Sequence, residues 1–223
     1  MPICEKPFLI INLDSLNANI NDQMQNSAIF PLFYLPSTFY FSALKQHDFN
    51  FCIEKYEHFP KQTFRNRAEI ASPNGTLALT LPVIKGSKNH TPVKDVKISY
   101  DVKWQRLHWL SLQTCYRSSA YFEFYEDSLA PFYEKRYSFL FDFNLDLFNW
   151  LLKQLKMDTD YALTTAYQKE AAADYRAKFL KNAHNDQQAK PYFQVFSDRN
   201  AFIPNLSGVD LLFNQGPQAR LYL

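Results

Sequence analysis

Residues 27–53 read SAIFPLFYLPSTFYFSALKQHDFNFCI, and this stretch decides the fold class. The run from Ser27 to Tyr34 mixes aliphatic and aromatic residues and predicts a buried strand. Residues 36–47 then carry apolar side chains at helical spacing and begin with a proline, which the first turn of a helix tolerates. Phe49 to Ile53 predicts a second short strand. Strand, helix and strand in this order favour a parallel α/β unit, in which the turn after the first strand commonly faces a ligand.

The next segment predicts a hairpin and a helix. Tyr56 to Ile70 is a loop and strand rich in Lys, Arg and aromatic residues. Asn74-Gly75 is a tight-turn signal, and residues 76–83 alternate with period two, so these stretches predict a β-hairpin. The apolar spacing over 93–98 indicates another strand. Trp104 to Tyr116 repeats apolar positions at the spacing of an amphipathic helix.

Past residue 120 the pattern is largely helical. Helix-type periodicity covers 121–140 and Asn144–Lys156, with Asn144 as the expected N-cap of the second helix. Residues 160–166 predict an added edge strand. Residues 171–182 predict a surface helix, and 209–213 a last helix near the end of the sequence.

The composition of the 223-residue chain excludes several classes of protein. Hydrophobic residues make up 47% of it, which is enough to bury a sizeable core and excludes wholesale disorder. Only 4 glycines are present, and the Gly-rich phosphate loops of classical dinucleotide and nucleoside triphosphate enzymes cannot be written from them. The sequence therefore indicates no particular cofactor.

Cysteine usage and the apolar runs predict a reduced cytoplasmic protein. Cys4, Cys52 and Cys115 lie far apart with no C-x-x-C, so we expect neither a disulfide framework nor a metal site. The longest aromatic and apolar stretch, 29–41, is broken by two prolines and is too short to span a bilayer. No secretion signal is recognisable. Residues 1–27 predict a loosely attached N-terminal extension or a peripheral strand and loop.

The formal net charge of +2 conceals a local asymmetry. Residues 61–117 contain ten basic and three acidic residues, a net charge of +7, and the rest of the chain carries −5. A patch of one sign that converges in space raises the local concentration of anionic ligands. The alternative is a set of solvated edge charges. We expect an anionic small molecule, a phosphate or a nucleotide sugar, as the partner. A nucleic acid is disfavoured as the partner. The pI of about 8.3 lies below the values above about 9 that are typical of nucleic-acid-binding domains, and no recognised binding motif occurs.

Several short motifs occur in an order that resembles the WbqC-like protein family. They are Tyr34-Leu35-Pro36, Lys61-Gln62-Thr63-Phe64-Arg65-Asn66-Arg67, Leu79-Thr80-Leu81-Pro82-Val83, Thr91-Pro92-Val93-Lys94-Asp95-Val96, Trp104-Gln105 with His108-Trp109, Tyr116 with Ala120-Tyr121-Phe122, and Phe202-Ile203-Pro204-Asn205-Leu206-Ser207. The resemblance covers roughly residues 28–223 and implies a bacterial cytoplasmic protein connected with surface-polysaccharide loci. One departure concerns the opening strand, which in the family often ends in Gln-Pro. This chain has Phe30-Pro31 there, so a catalytic role of that Gln would be lost.

The element order predicts an α/β fold in three parts. We expect an N-terminal extension over 1–27 and a small Rossmann-like α/β domain over 28–118, which carries the β-hairpin and the basic segment. A mainly α-helical C-terminal region is expected over 119–223.

Arg65-Asn66-Arg67 is the most pointed chemical feature. In an extended segment the two arginine side chains project from the same face, as two forks suited to bidentate contact with phosphate or carboxylate, and Asn66 lies opposite. Together with Lys61 they form the predicted anion-binding site. The alternative is an edge strand whose arginines are solvated or ion-paired. The carboxylates available for such pairs are Glu54, Glu57 and Glu69.

His108 is the predicted general acid or base, since an unperturbed pKa of ~6.5 suits proton transfer near neutrality. Trp104 lies one turn earlier on the same helix face as a substrate-binding residue, although plain helix packing explains both residues equally well. Tyr34 and Tyr40 are expected to line the mouth after the first strand. Cys115 is interpreted as a buried structural thiol, because His108 lies about 10 Å away along the helix axis.

The leading hypothesis is a transferase-type enzyme that acts on a phosphorylated or nucleotide-activated metabolite in surface-polysaccharide biosynthesis. The rival is a non-catalytic anion-binding or scaffold protein, and a nucleic-acid-binding protein is the third. The enzyme hypothesis predicts that Arg65, Arg67 and His108 converge on one cleft that contains Tyr34.

Overall fold

A parallel sheet of four strands organises the part of the chain that the computed structural model describes, namely residues 27–60, 63–84, 90–157, 160–179 and 189–223. In chain order the elements are β1 (Ala28–Pro31), α1 (Thr38–Gln46), β2 (Phe51–Glu54), β3 (Arg67–Ser72), β4 (Gly75–Thr80), a 3₁₀ turn (Val93–Asp95), α2 (Trp104–Tyr116), α3 (Phe122–Glu134), α4 (Leu140–Gln154), β5 (Ala162–Leu163), β6 (Ala173–Asp174), α5 (Gly208–Gln215) and a 3₁₀ helix (Gly216–Tyr222). The predicted extension over 1–27 lies, except for Ser27, outside the described residues.

The sheet has the order β5-β2-β1-β6, and every pairing is parallel. β1 and β2 are buried along their whole lengths, as their apolar composition predicts, and Ala28 lies opposite Phe51 in the register. The predicted strand–helix–strand unit is therefore confirmed. The outer strands β5 and β6 both lie beyond residue 118, so segments from both sides of that position share one sheet. The predicted edge strand at 160–166 is confirmed as the shorter β5.

The predicted hairpin is also confirmed. β3 and β4 pair antiparallel from Arg67 opposite Thr80 to Ser72 opposite Gly75. Gly75 has a φ of +103°, a conformation that is strained for residues with a side chain, so the turn requires glycine there.

Two predicted elements are wrong. Residues 93–98 do not form a strand: the amides of Asp95 and Val96 turn back to the carbonyls of Pro92 and Val93, which closes a 3₁₀ turn. The predicted surface helix at 171–182 is replaced by β6 and a turn as far as the chain is described. Tyr175 N donates to Ile29 O at 2.8 Å, so pairing with β1 overrides the local helical pattern.

The predicted helix over 121–140 ends early, and Asn144 is not an N-cap. α3 stops at Glu134, because Lys135 has an extended backbone with ψ of 139°. α4 then begins at Leu140, which places Asn144 inside the helix as a fully buried residue. Its side-chain amide donates to Arg65 O at 2.7 Å. Asn144 therefore ties the helical part to the turn that precedes β3.

The segment 32–36 after β1 is buried and positions the residues considered below. Tyr34 N donates to Phe64 O at 3.0 Å, and Pro36 O accepts from Gly208 N at 2.7 Å. These bonds hold the segment between the turn before β3 and the start of α5. Among the described residues, no helix has the length and apolar character needed to cross a membrane.

Candidate functional site

A chain of hydrogen bonds joins three side chains from different elements. Tyr34 follows β1, His108 belongs to α2, and Tyr133 lies in the last turn of α3. The Tyr34 hydroxyl is 2.9 Å from His108 Nδ1 and 3.0 Å from the Tyr133 hydroxyl. All three side chains are buried. Two of the predicted site residues, Tyr34 and His108, are thus in direct contact.

Burial keeps this chain uncharged near neutral pH. It lowers the pKa of His108 from its ordinary value to about 4, although a hydrogen bond with the Thr80 backbone acts in the opposite direction. Burial likewise raises the pKa of Tyr34 and of Tyr133. A neutral imidazole has one N–H, and the direction of each bond in the chain depends on the nitrogen that carries it. With the N–H on Nε2, His108 Nδ1 accepts from Tyr34, and Tyr34 accepts from Tyr133.

Tyr133 also lines a cavity of about 430 Å³ beside the N-terminal end of α2, which we call the aromatic cavity. Its volume falls within the range of small-molecule sites. Its aromatic lining residues are Tyr100, Trp104, Trp109 and Tyr133. Its charged lining residues are Lys103, Arg106, Glu134 and Arg136. Three cations against one carboxylate, among aromatic rings, make a lining suited to an anion with a planar or sugar ring.

The aromatic groups of this cavity hold one another in place. The Trp109 and Tyr133 rings are stacked with centroids 5.6 Å apart, and the Arg136 guanidinium lies 4.9 Å from the Tyr100 ring centroid. Trp104 packs edge-on against His108 at 5.3 Å. Trp104 Nε1 is buried and has no hydrogen-bond partner in the described part of the chain. Trp104 therefore carries a buried N–H donor whose hydrogen bond is unused among the described residues.

Arg65 lies in a second cluster, which is ionic. Its Nε and Nη2 atoms donate to the two oxygens of Glu57, both at 2.7 Å, and the arginine side chain is 1% exposed. The guanidinium lies 5.6 Å from the Phe33 ring centroid. Burial raises the pKa of Glu57, while the hydrogen bonds from Arg65 act to lower it. Arg65 Nη1 has no hydrogen-bond partner among the described residues.

A second buried pair lies at the carboxyl ends of the parallel strands. Glu54 is the last residue of β2, is fully buried, and accepts from Tyr56 N, Thr164 Oγ1 and Gln168 N. Arg176, two residues after β6, reaches Glu54 at 3.5 Å and binds Asp174 through Nε and Nη2. Each charge in this pair already has partners, which leaves the pair a structural role.

The predicted sharing of one face by Arg65 and Arg67 is wrong. Asn66 N donates to Thr63 O at 3.2 Å, so Arg65 belongs to a turn, and β3 begins only at Arg67. The Arg67 side chain is 45% exposed and pairs with Glu69 at 3.1 Å. In the described chain, no hydrogen bond or ion pair joins either arginine side chain to the Tyr34–His108–Tyr133 chain. The predicted convergence on one cleft is therefore not observed, and both arginines adopt the ion-paired alternative.

The remaining predicted site residues occupy different surroundings. Tyr40 is fully buried and donates to Pro31 O at 2.9 Å, so it braces α1 against β1. Asn66 donates to Leu81 O at 2.9 Å and thereby links the turn to the end of β4. Lys61 lies outside the described residues. Trp104 lines the aromatic cavity beside His108, as described above.

Cys115 is buried, as expected for a structural thiol, and burial raises its pKa away from the reactive thiolate form. No group of three or more His, Cys, Asp or Glu side chains able to hold a metal ion occurs within the described ranges.

Sequence reasoning missed Tyr133, Arg176 and the cations of the aromatic cavity. Tyr133 is one of 14 tyrosines and lies in a helix whose other face packs in the core, so no local pattern distinguishes it. Arg176 fell inside a stretch that was predicted to be helical. Lys103 and Arg106 were counted only as part of the basic segment. Because they are neighbours of Trp104 and His108 in the sequence, they could have been included in the predicted site.

Comparisons with known proteins agree with the motif order. Residues 33–195 match the model of the WbqC-like protein family, and this span contains both clusters and the aromatic cavity. The uncharacterized protein Rv1507c of Mycobacterium tuberculosis is 27% identical over 231 aligned positions, which cover 90% of this chain and 98% of that protein. No solved structure matches the chain.

Proposed function

The chain belongs to the WbqC-like protein family, and we propose that it is a transferase-type enzyme that binds a phosphorylated or nucleotide-activated metabolite in the aromatic cavity. One observation carries the proposal. Tyr133 lines the cavity and is also the outer end of the hydrogen-bond chain that leads through Tyr34 to His108. The cavity and the hydrogen-bond chain therefore share one side chain, that of Tyr133.

The lining supplies what such a ligand needs. Lys103, Arg106 and Arg136 attract phosphate groups, and Arg side chains can grip a phosphate with two parallel hydrogen bonds. Trp109 and Tyr100 offer faces on which a base or sugar ring stacks. The anion site is thereby proposed at the N-terminal end of α2, because Arg65 and Arg67 are already paired with carboxylates.

The proton path completes a transfer reaction. The acceptor substrate, a hydroxyl or an amine, attacks the activated centre of the donor and gives its proton to the Tyr133 oxygen. The Tyr133 proton passes to the Tyr34 oxygen, and the Tyr34 proton passes to His108 Nδ1, so neither phenol becomes an anion. The phosphate leaving group departs with the bonding electron pair and is stabilised by the three cations. A bound phosphate also favours protonated His108 by its negative charge.

The biological setting is part of the proposal. Surface-polysaccharide biosynthesis and a cytoplasmic location come from the family resemblance and from cysteine usage, and they identify the first ligands to try. Sugar nucleotides fit the aromatic and basic lining, whereas apolar metabolites without an anionic group do not.

A non-catalytic anion-binding or scaffold protein is the second candidate. Phe30 stands where the family often has Gln, and its ring stacks on Tyr175 with centroids 4.2 Å apart. The end of β1 therefore presents packed aromatic rings instead of an amide. This observation favours a protein that retained the fold and lost a reaction at that strand.

A calorimetric titration separates these candidates. Nucleotides, nucleotide sugars and a short oligonucleotide are titrated into the wild type and into Arg106→Ala/Arg136→Ala. We expect a saturable signal with a sugar nucleotide and at least tenfold weaker binding in the variant, because each lost charge-assisted contact is worth about 1.5–3 kcal/mol. Arg67→Ala, which removes an exposed arginine outside the cavity, is the matched control and should bind like the wild type.

Tyr133→Phe then separates binding from chemistry. Its cavity keeps the aromatic ring and the three cations, so affinity should stay within about twofold, while turnover should fall by about 10²-fold or more. Binding without turnover in the wild type supports the scaffold candidate. No binding by any small molecule removes the cavity from consideration, and oligonucleotide binding with a steep salt dependence would instead favour nucleic-acid binding.

A further inference from the structure

Two exposed histidines, His58 and His90, lie side by side outside the aromatic cavity. Phe59 N donates to Thr91 O at 2.9 Å, and His58 faces Pro92 in an isolated antiparallel bridge. In that register His58 and His90 are diagonal neighbours whose side chains point to the same side. Their ring centroids are 4.8 Å apart, and the ring planes are inclined by 45°.

We propose that His58 and His90 together chelate a divalent transition-metal ion. With metal–nitrogen distances of about 2.0–2.1 Å, two imidazoles on one ion have centroids roughly 4.5 Å apart at a right angle and roughly 5.2 Å apart at the tetrahedral angle. The observed 4.8 Å lies between these values. A small rotation of two exposed side chains therefore suffices to place both rings on one ion.

The ligand type defines the class of metal. Imidazole nitrogen suits Zn²⁺, Ni²⁺ and Cu²⁺, whereas Mg²⁺ and Ca²⁺ prefer oxygen ligands. Glu57, the residue before His58, has both carboxylate oxygens bound to Arg65. Since the described residues contain no group of three ligating side chains, water fills the other positions. The site is therefore exchangeable and has open coordination positions.

A metal ion bound by this pair would join two segments of the chain. Val93 N donates to Glu57 O at 2.9 Å, next to the bridge between His58 and Pro92. The ion would fasten the segment that carries Glu57, the partner of Arg65, to the segment 90–92. Because neither histidine lines the aromatic cavity, this site does not depend on the proposed transferase function.

Titration of the untagged chain with Zn²⁺, Ni²⁺ and Cu²⁺, each alone, tests the site. Calorimetry should give one ion per chain with a dissociation constant in the micromolar range for at least one metal, and the two histidine ring signals should shift together in NMR spectra. His58→Ala and His90→Ala should each weaken binding at least tenfold, because a chelate needs both rings. His47→Ala is the matched control, since that ring is bonded to the Tyr175 hydroxyl and should leave the affinity unchanged.

The proposal is overturned if no metal binds at millimolar concentration, or if both single variants keep the wild-type affinity. Circular dichroism of each variant checks that the fold is intact, which is expected for exposed side chains. His58→Gln and His90→Gln repeat the test with polar side chains. Since no nucleotide is present in these titrations, a failure here leaves the transferase experiment untouched, and the reverse also holds.

Discussion

The consecutive residues Phe33 and Tyr34 face two polar clusters that are built in opposite ways. Phe33 contacts Arg65, whose guanidinium is locked to Glu57 among buried charges. Tyr34 contacts His108 in a cluster that burial keeps neutral. In the ionic cluster every described carboxylate is paired, whereas the neutral cluster ends at Tyr133, a residue that lines a cavity.

The ionic cluster serves the stability of the fold, whereas the neutral cluster is suited to proton transfer. A complete buried ion pair contributes little to the free energy of unfolding, but removing one partner is costly because it leaves the other charge buried alone. The two residues of such a pair therefore stay bound to each other. A neutral chain of hydroxyls and imidazole costs less to bury and can still pass a proton. The sequence predicted the functional site at Arg65 and Arg67, but it is the neutral cluster that lies beside a cavity.

The largest expected effect belongs to the ionic cluster. Arg65→Met leaves the Glu57 carboxylate buried without its partner, and we expect a loss of about 3–5 kcal/mol in the free energy of unfolding. Urea denaturation at pH 7 measures it. Arg67→Ala is the control: its exposed pair with Glu69 should cost about 1 kcal/mol or less. Arg65→Met/Glu57→Gln should recover part of the loss, and equal losses for Arg65→Met and Arg67→Ala would contradict the ionic description.

The second effect is a pH dependence that arises from His108. Its folded-state pKa is about 4, and an unfolded histidine titrates near ~6.5, so the unfolded chain takes up the proton first as the pH falls. The free energy of unfolding therefore has its full value above pH ~6.5. It decreases by about 3 kcal/mol on acidification to pH ~4, because the proton binds more tightly to the unfolded chain. Urea denaturation between pH 7 and pH 4 should show a shallower slope for His108→Gln than for the wild type. If the stability of the two proteins falls equally with pH, burial does not lower the pKa of His108.

The smallest effect concerns the middle of the hydrogen-bond chain. Tyr34→Phe keeps the ring but leaves His108 Nδ1 and the Tyr133 hydroxyl without their partner, at an expected cost of about 1–2 kcal/mol. Tyr137→Phe removes a hydroxyl that binds Asp146 at the surface, and it should cost clearly less. Thermal and urea unfolding of the two variants decide the point. If both variants lose the same amount, the buried chain is no stronger than an exposed hydrogen bond.

The sequence predicted those parts of the fold that local patterns determine. The β1-α1-β2 unit and the hairpin were found because apolar runs, alternation and Asn74-Gly75 are local signals. β6 was predicted as a helix, because its two residues become a strand only by pairing with β1. Arg65 was placed in a strand, although the bond from Asn66 N to Thr63 O makes a turn there. Both errors arise where tertiary contacts override local preference.

The sequence predicted three residues of the candidate site. Tyr34, Trp104 and His108 were named because they follow a strand or share a helix face. Tyr133 joins them only through the packing of α3 against α2, and no spacing in the sequence records that contact. The cavity itself depends on two separate segments, 100–109 and 133–136, so it could not be derived before the fold was known.

The sheet also sets the order in which the chain can complete its fold. β1 and β2 can pair once residue 54 has been synthesised, but Thr164, beside the outer strand β5, lies 110 residues beyond Glu54 in the chain. Until β5 and β6 emerge from the ribosome, the two central strands have unpaired apolar edges, which are templates for association with other chains. Pairing over such a separation also has a high entropic cost of loop closure and slows folding. The two short outer strands, four residues in all, therefore protect the nascent protein from aggregation as well as finish its sheet.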